Sequence, residues 1–283
     1  MMTYFQAIII GLLQGITELF PISSLGHSVL LPSLFGWHNI VASQTSSESF
    51  FLAFLVGLHV ATAIALLIFY RQKWAKIISG FFTTLKTHKV ETSDQRLALL
   101  LIVATIPAGI TGLIFEHKLR VVFAKPLYAA IFLTINGIIL LAGEQYRKKT
   151  QNKAAKTKLE NLKYQEAGAV GIAQILALFA GISRSGITMV AGLVRGLDHK
   201  DAANFSFLLA TPIILAAGVY KLPDLLGPNG AGIRGQIIVG SIVAGFAAYF
   251  AVKFLTKYFE TKTLKPFAIY SLIVGVLMII RFT

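Results

Sequence analysis

Six runs of predominantly apolar residues, at about 51–70, 97–115, 126–144, 204–222, 236–255 and 266–281, set the terms on which this chain can fold. Each is long enough to cross the ~30 Å hydrocarbon core of a bilayer as a helix. Within that core no water pairs with backbone N–H and C=O groups, so a lone spanning segment must satisfy them along its own length, as an α-helix does. Composition agrees: 55% of residues are hydrophobic, 13% are charged and the mean hydropathy is +0.72, well outside the range of an ordinary soluble domain. The expected fold class is an all-α polytopic membrane protein. The N-terminal stretch lacks a basic leader and is punctuated by Gln14 and Glu18, so it is not read as a cleavable signal peptide, and the mature chain is expected to begin near Met1.

There is no cysteine, which excludes disulfides, thiolate zinc, iron–sulfur clusters and a cysteine nucleophile together. The net charge of +14 does not point to nucleic acid, because Lys and Arg crowd into loops between apolar runs rather than onto a soluble basic face. The partner those loops imply is a bilayer. The most basic of them, Arg71–Arg96 and Arg147–Lys163, are separated by two spans and so share a side, which the positive-inside rule makes cytoplasmic. Counting onward puts Lys257–Lys265 inside, and the linker at 116–125, the turn near 226–232 and the C-terminus outside.

A second feature is a repeat. Gly11, Gln14, Ile22, Ser23 and Gly26 return in the same register, without a gap, as Gly171, Gln174, Ile182, Ser183 and Gly186. The copies read GLLQGITELFPISSLGHS and GIAQILALFAGISRSGIT, each interrupting an apolar segment with polar groups. Pro21, Ser23, Ser24, Gly26 and Pro32 break the first segment near its middle, and GISRSG breaks the second. Irregular backbone at membrane depth is tolerated only where protein or a water-filled cavity surrounds it. Each segment is therefore expected to be a re-entrant helical hairpin rather than a single span. Eight single crossings would also keep the two basic loops together, and it is the chemistry of the breaks that favours re-entry.

Each hairpin precedes three spans, and an odd number of crossings inverts the second unit relative to the first, which gives an inverted-topology repeat whose hairpin tips meet near the midplane. The expected organisation is a first repeat over 1–145 with its hairpin at ~3–40, a basic cytoplasmic linker at 146–166, and a second repeat over 167–283 with its hairpin at ~167–200.

The repeats put different chemistry into one frame. Gln14 and Glu18 stand one helical turn apart, and a carboxylate with an amide oxygen can hold a hard divalent cation such as Mg²⁺ or Ca²⁺. His27 lies one turn beyond Ser23 and Ser24, so that hydroxyl and imidazole can converge on one reacting centre as nucleophile, base or both. His59 has no motif around it and is read as a structural hydrogen-bonder. Arg184 carries a cation into the second hairpin, where it calls for an anion. A guanidinium grips phosphate in bidentate fashion, Ser183, Ser185 and Thr188 add hydroxyls, and the amides about Ser185 and Gly186 offer an anion seat at a helix start. An internal Arg184–Glu18 pair is the structural alternative.

Taken together, these residues resemble the undecaprenyl-pyrophosphate phosphatase family of bacteria, the BacA/UppP type associated with bacitracin resistance. The first signature stands here as Gln14-Gly-Ile-Thr-Glu18 followed by Pro21-Ile-Ser-Ser-Leu-Gly-His27, and the second as Gly181-Ile-Ser-Arg-Ser-Gly-Ile-Thr188. The stretch FSFLLATP at Phe205–Pro212 is similar to the family's segment after the second signature. The resemblance implies removal of the terminal phosphate from a polyprenyl pyrophosphate with the help of a divalent cation, at a bacterial cytoplasmic (inner) membrane, regenerating the lipid carrier of cell-wall synthesis.

By position, the resemblance implies Glu18 and Gln14 for metal and pyrophosphate, Ser24 and His27 for the attack, and Arg184 with Ser183, Ser185, Gly186 and Thr188 for the phosphates. Ser23 joins the substrate-binding set. The site is expected to open to the periplasmic or outer side, and a homodimer is one possible assembly. Many members carry Glu where this chain has Gln14, which leaves Glu18 the only carboxylate of that pair, and Pro-Gly where it has Ala180-Gly181. A secondary transporter or flippase of a phosphorylated lipid is the rival from another class, since broken helices meeting at midplane also suit transport. Acid-phosphatase-like lipid phosphatases are set aside because their full spaced pattern is missing.

Overall fold

The computed structural model describes residues 2–44, 50–123, 125–150, 157–227 and 231–283, and among them the chain is built of helices with no strand. The central part of the basic linker, the tip of the turn near 226–232, residue 124 of the linker at 116–125, and Met1 lie outside the described residues. Among the described residues six helices are long and apolar enough to cross a membrane: α4 (Phe50–Phe69), α6 (Ser93–Phe123, of which Ser93–Phe115 is the span), α7 (Pro126–Thr150), α10 (His199–Tyr220), α12 (Arg234–Tyr258) and α13 (Lys265–Phe282). They coincide with the six apolar runs. Ile238, Ile242, Phe246, Phe250 and Phe254 recur every fourth residue along α12 and are all exposed. A stripe of that size facing water would be a liability, whereas facing acyl chains it costs nothing.

The two motif segments form shorter helices. In the first, α1 (Tyr4–Thr17) is separated by a turn from α2 (Ser24–Leu34), and α3 (His38–Gln44) follows. In the second, α8 (Tyr164–Gln174) passes through a 3₁₀ turn at Ile175–Leu178 before α9 (Arg184–Val194). At ~1.5 Å per residue none of these reaches across ~30 Å of hydrocarbon by itself. The breaks fall where the repeated polar residues are.

One segment differs from its sequence reading. The basic stretch after the first span is not a loop but a helix, α5 (Arg71–Thr87). Trp74, Ile77 and Phe81 recur at helical spacing and pack into the main core, while Lys73 Nζ pairs with Asp94 Oδ1 at 2.6 Å at the start of α6. An amphipathic period of this kind is enough to order a basic connection against the bundle. The fourth span also begins earlier than its apolar run, at His199, because the Asp198 side chain accepts from Asp201 N at 2.8 Å and caps it; α11 (Leu222–Leu226) follows it.

The repeat is mirrored in the packing. α1 lies on α12, and α8 lies on α6, so each motif's first helix rests on the middle span of the other half. Both contacts need a missing side chain. A Cβ added at Gly11 would stand 2.5 Å from Gly240 O, and one added at its counterpart Gly171 would stand 2.5 Å from Ala104 O. Small residues of this kind let helix backbones approach within a bilayer, where packing rather than water exclusion holds helices together.

Gly171→Val is therefore expected to lower the thermal unfolding midpoint in detergent, with an overpacking cost of about 1–3 kcal/mol. Gly109→Ala, at a position with nothing within 4 Å of the added Cβ, serves as the control and should leave the midpoint within a degree or so of the parent.

Candidate active site

The breaks in the two motif segments are locked to each other. Ser23 begins α2 as its N-cap, its Oγ accepting from Gly26 N at 3.2 Å, with φ 68° and ψ 100°. A serine in that left-handed region is strained and persists only where its surroundings over-determine it. They do: the same Oγ accepts from Gly181 N of the other break at 3.2 Å, and a Cβ at Gly26 would meet Gly181 Cα at 2.9 Å. Gly181 itself turns the chain with φ 115°.

Ser183 then caps α9, its Oγ accepting from Gly186 N at 3.2 Å, while Ser185 Oγ donates to Phe20 O at 3.2 Å. Asn136 of α7, which is 1% exposed, ties both breaks together: its Oδ1 accepts from Ser183 N at 3.0 Å and its Nδ2 donates to Pro21 O at 3.0 Å and to Ser271 Oγ of α13 at 3.2 Å.

This interlock brings the charged residues of the two halves face to face. Arg184 Nη2 lies 2.6 Å from Glu18 Oε1, with side chains 14% and 6% exposed. Glu18 Oε2 accepts from Gln14 Nε2 at 3.0 Å and from the Ser24 hydroxyl in a short contact, and His59 Nε2 of α4 stands 3.4 Å away. Glu18, Ser24, His59 and Arg184 line a cavity of about 630 Å³ whose further walls are mainly apolar, including Leu52, Leu55 and Val56 of α4, Leu113 of α6 and Ala217 of α10. An anionic group attached to a long apolar chain matches both parts of that lining.

Of the residues singled out in the sequence, Glu18, Ser23, Ser24, Ser183 and Arg184 line this cavity. Gln14 sits behind Glu18 and orients it. Ser185, Gly186 and Thr188 are spent inside the protein: Thr188 Oγ1 bonds Arg184 O at 2.8 Å and Ser206 Oγ at 2.7 Å, and Gly186 N is taken by the cap of its own helix. His27 does not converge with Ser24 on the cavity. Its Nδ1 lies 2.7 Å from Ser23 O and its Nε2 2.8 Å from Tyr270 OH of α13, so both ring nitrogens are committed, and the rings stack with centroids 5.7 Å apart.

His59, read from the sequence as a structural hydrogen-bonder, does bond Leu55 O at 2.8 Å through Nδ1, and that bond also aims Nε2 at Glu18 and into the cavity. An ionisable side chain within an apolar span was the available signal. Asn136 and Tyr270 gave no comparable one, because their partners are distant in the chain.

The donor set also limits what metal it can hold. Among the described residues no cluster of three or more His, Asp or Glu side chains comes together. What is present on the cavity wall is one carboxylate, Glu18; Gln14 turns its Nε2 toward that carboxylate at 3.0 Å, and its Oε1 is buried without a partner. That is too little for a cage of protein ligands, but it fits a cation such as Mg²⁺, which takes one or two protein oxygens and fills its shell with phosphate and water.

Comparison with known proteins yields one consistent family. The sequence model of the family described as "Bacitracin resistance protein BacA" matches residues 7–277. A protein of Frankia alni named undecaprenyl-diphosphatase 2 is 52% identical, over 99% of this chain and 98% of its own length. The undecaprenyl-diphosphatase of Mycolicibacterium paratuberculosis is 51% identical over 97% and 95%, and the undecaprenyl-diphosphatase 2 of Chromobacterium violaceum 42% identical over 97% of each.

Asn136→Leu keeps the bulk of the side chain but leaves Ser183 N and Pro21 O buried without their partner. The expected cost is about 1–3 kcal/mol per orphaned group, read as a fall in the unfolding midpoint. Asn136→Asp keeps the acceptor for Ser183 and loses the donor, and should still fall below the parent.

Proposed function

The chain belongs to the BacA family of bacitracin resistance proteins, and on that premise we propose that it is an integral-membrane phosphatase converting undecaprenyl pyrophosphate to undecaprenyl phosphate and inorganic phosphate. The observation that carries this reading is the Glu18–Arg184 pair with the Ser24 hydroxyl on the same carboxylate, in the lining of a mainly apolar cavity. Pyrophosphate needs a cation and a nucleophile, and the prenyl chain needs the apolar walls. Recycling of the lipid carrier for cell-wall synthesis, and with it resistance to bacitracin, follows from that activity.

Ser24 is assigned the attack rather than His27, since its hydroxyl lies on the cavity wall and already donates to Glu18. Glu18 draws off the hydroxyl proton, Oγ bonds to the terminal phosphorus, and the bridging P–O bond breaks to release undecaprenyl phosphate, whose departing oxygen takes the proton from Glu18. Water then cleaves the Ser24 phosphoester, its proton restoring the hydroxyl. Arg184 meets the charge that develops on the phosphoryl oxygens, an interaction worth most where water is excluded. To do so it exchanges part of its contact with Glu18 for one with phosphate.

A divalent cation, when bound, would be held by Glu18, with Gln14 orienting that carboxylate through its Nε2, and would neutralise pyrophosphate charge. His27 acts at one remove: by holding Ser23 O and Tyr270 OH it keeps the start of α2 in the conformation that presents Ser24.

The wider arrangement is proposed on the same basis. The exchange of α1 and α8 between halves supports the inverted repeat over 1–145 and 167–283, with the hairpins re-entrant. Basic residues on α5 and at the end of α7 support a cytoplasmic assignment for those ends, in a bacterial inner membrane, with the site open outward. The reading needs no second copy, because both halves of the site come from one chain.

Purified protein in detergent should release phosphate from undecaprenyl pyrophosphate in the presence of Mg²⁺ or Ca²⁺. Folded Glu18→Gln, Ser24→Ala and Arg184→Ala variants should each lose about 10²-fold or more in kcat/KM, with His27→Ala reduced mainly in kcat. Wild type that moves the lipid in proteoliposomes without releasing phosphate would instead favour the flippase. Orientation is tested by thiol labelling in intact cells: Ser43→Cys should react from outside and Ser93→Cys only after permeabilisation, and the reverse pattern inverts the topology.

A further inference from the structure

Gln174 stands in the second hairpin at the register of Gln14 in the first. The first amide has a use: Gln14 Nε2 donates to Glu18, one turn further on, at 3.0 Å. One turn beyond Gln174 the chain carries Leu178, so the second amide has lost the carboxylate on which its counterpart leans. Nothing among the described residues replaces it. Gln174 is 1% exposed, neither its Oε1 nor its Nε2 has a hydrogen-bond partner, and the residue belongs to the wall of the cavity that also holds Glu18, Ser24 and Arg184. Buried amides are nearly always paired, and one left without a partner at a cavity wall marks a place where a ligand completes the bonding.

A second orphan belongs to a residue that lines the same cavity. Arg184 Nη2 is held by Glu18, but Arg184 Nη1 is buried with no partner. The remaining hydroxyl on the α6 side, Thr105 Oγ1, is already given to Leu101 O at 2.7 Å. Among the polar side chains of this lining, Ser24 and His59 are gathered on the Glu18 carboxylate, while the donors Gln174 Nε2 and Arg184 Nη1 are buried and unsatisfied, as is Gln174 Oε1.

We propose that Gln174 and the Nη1 edge of Arg184 form a subsite for the phosphate that remains on the lipid. This rests on the reading of the protein as a polyprenyl-pyrophosphate phosphatase. The terminal phosphate must meet Ser24, so the inner phosphate takes the donors that Ser24 and Glu18 leave unused. An uncharged amide suits this position: it binds the inner phosphate without the added cation that would hold the monophosphate product and slow its release. Gln174 is a binding residue in this scheme and takes no part in bond breaking.

The test is binding of two probes to purified protein, undecaprenyl phosphate in detergent and inorganic phosphate, each titrated by thermal shift against wild type, Gln174→Leu and Gln174→Glu. Gln174→Leu should fold with an unfolding midpoint equal to or above wild type, since it removes an unpaired buried amide. It should bind the lipid monophosphate about 10-fold more weakly, and Gln174→Glu more weakly still through charge repulsion, while inorganic phosphate binds all three alike. In turnover, KM should rise more than kcat falls.

Unchanged monophosphate affinity in both folded variants would overturn the subsite and assign the amide to a buried water. Equal weakening for inorganic phosphate would overturn it as well, by moving Gln174 to the terminal phosphate. Should Gln174→Leu fail to fold, Gln174→Glu, which keeps the shape, carries the test alone. Wild type that binds the monophosphate yet releases no phosphate from the pyrophosphate defeats the hydrolase reading and spares the subsite. Wild type that hydrolyses while both variants bind normally defeats the subsite alone.

Discussion

The contact on which the rest of this structure depends is the ion pair between Glu18 and Arg184, residues that belong to different halves of the chain and meet at 2.6 Å in near-complete burial. Neither charge is stable in such burial without the other, since removing one partner from a buried pair typically costs about 3–5 kcal/mol. The pairing requires both helix breaks to be in register, and that is what the surrounding bonds enforce. Ser23 Oγ takes Gly181 N, Ser185 Oγ reaches Phe20 O, and Asn136 spans Pro21 and Ser183. Each also satisfies a backbone or hydroxyl group that the breaks would otherwise leave buried and unpaired.

Strain and function meet at the same point. Ser23 sits at a positive φ that serine disfavours, and the residue that follows it carries the hydroxyl bonded to Glu18. The backbone turn that costs energy is the one that swings Ser24 off the axis of α1 and onto the cavity wall. Close approach of Gly26 to Gly181 makes the turn affordable, because no side chain intervenes between the two breaks. The two histidines divide the labour around this point. His27 spends both nitrogens holding the turn against α13, and His59, reaching in from α4, adds a fourth side chain to the carboxylate that receives Ser24.

The framework is matched to this arrangement through its helix pairs. α1 rests on α12 and α8 on α6, each with a glycine against a backbone carbonyl, so the motif segments are clamped by spans of the opposite half. A shift of either clamp would move one charge relative to the other. The site is therefore a property of the pair of halves, and half of the chain would expose an unpaired charge and a row of unsatisfied breaks.

Much of this was legible in the residues. The spans follow from apolar length alone, because a bilayer has a fixed thickness and backbone bonding inside it must be local. The repeat, with Pro21 in one copy and Gly181 in the other, marked where helices would break, and Glu18 with Arg184 announced themselves by the cost of charge in an apolar setting. What tertiary structure alone decided is direction.

A helix period places His27 one turn from Ser24, but Tyr270, far along the chain, draws the ring away from the cavity. A lone histidine in a span has no local partner to declare its role, and only the approach of α4 to the first break brings His59 to Glu18. Asn136 reads as one polar residue in an apolar run until both breaks arrive at its two ends. Sequence determined which segments are long and apolar enough to cross a membrane and where the chain must bend, since those are set by local bonding and hydropathy. Which of those groups face one another depends on contacts between residues remote in the chain, and these exist only once the helices have packed.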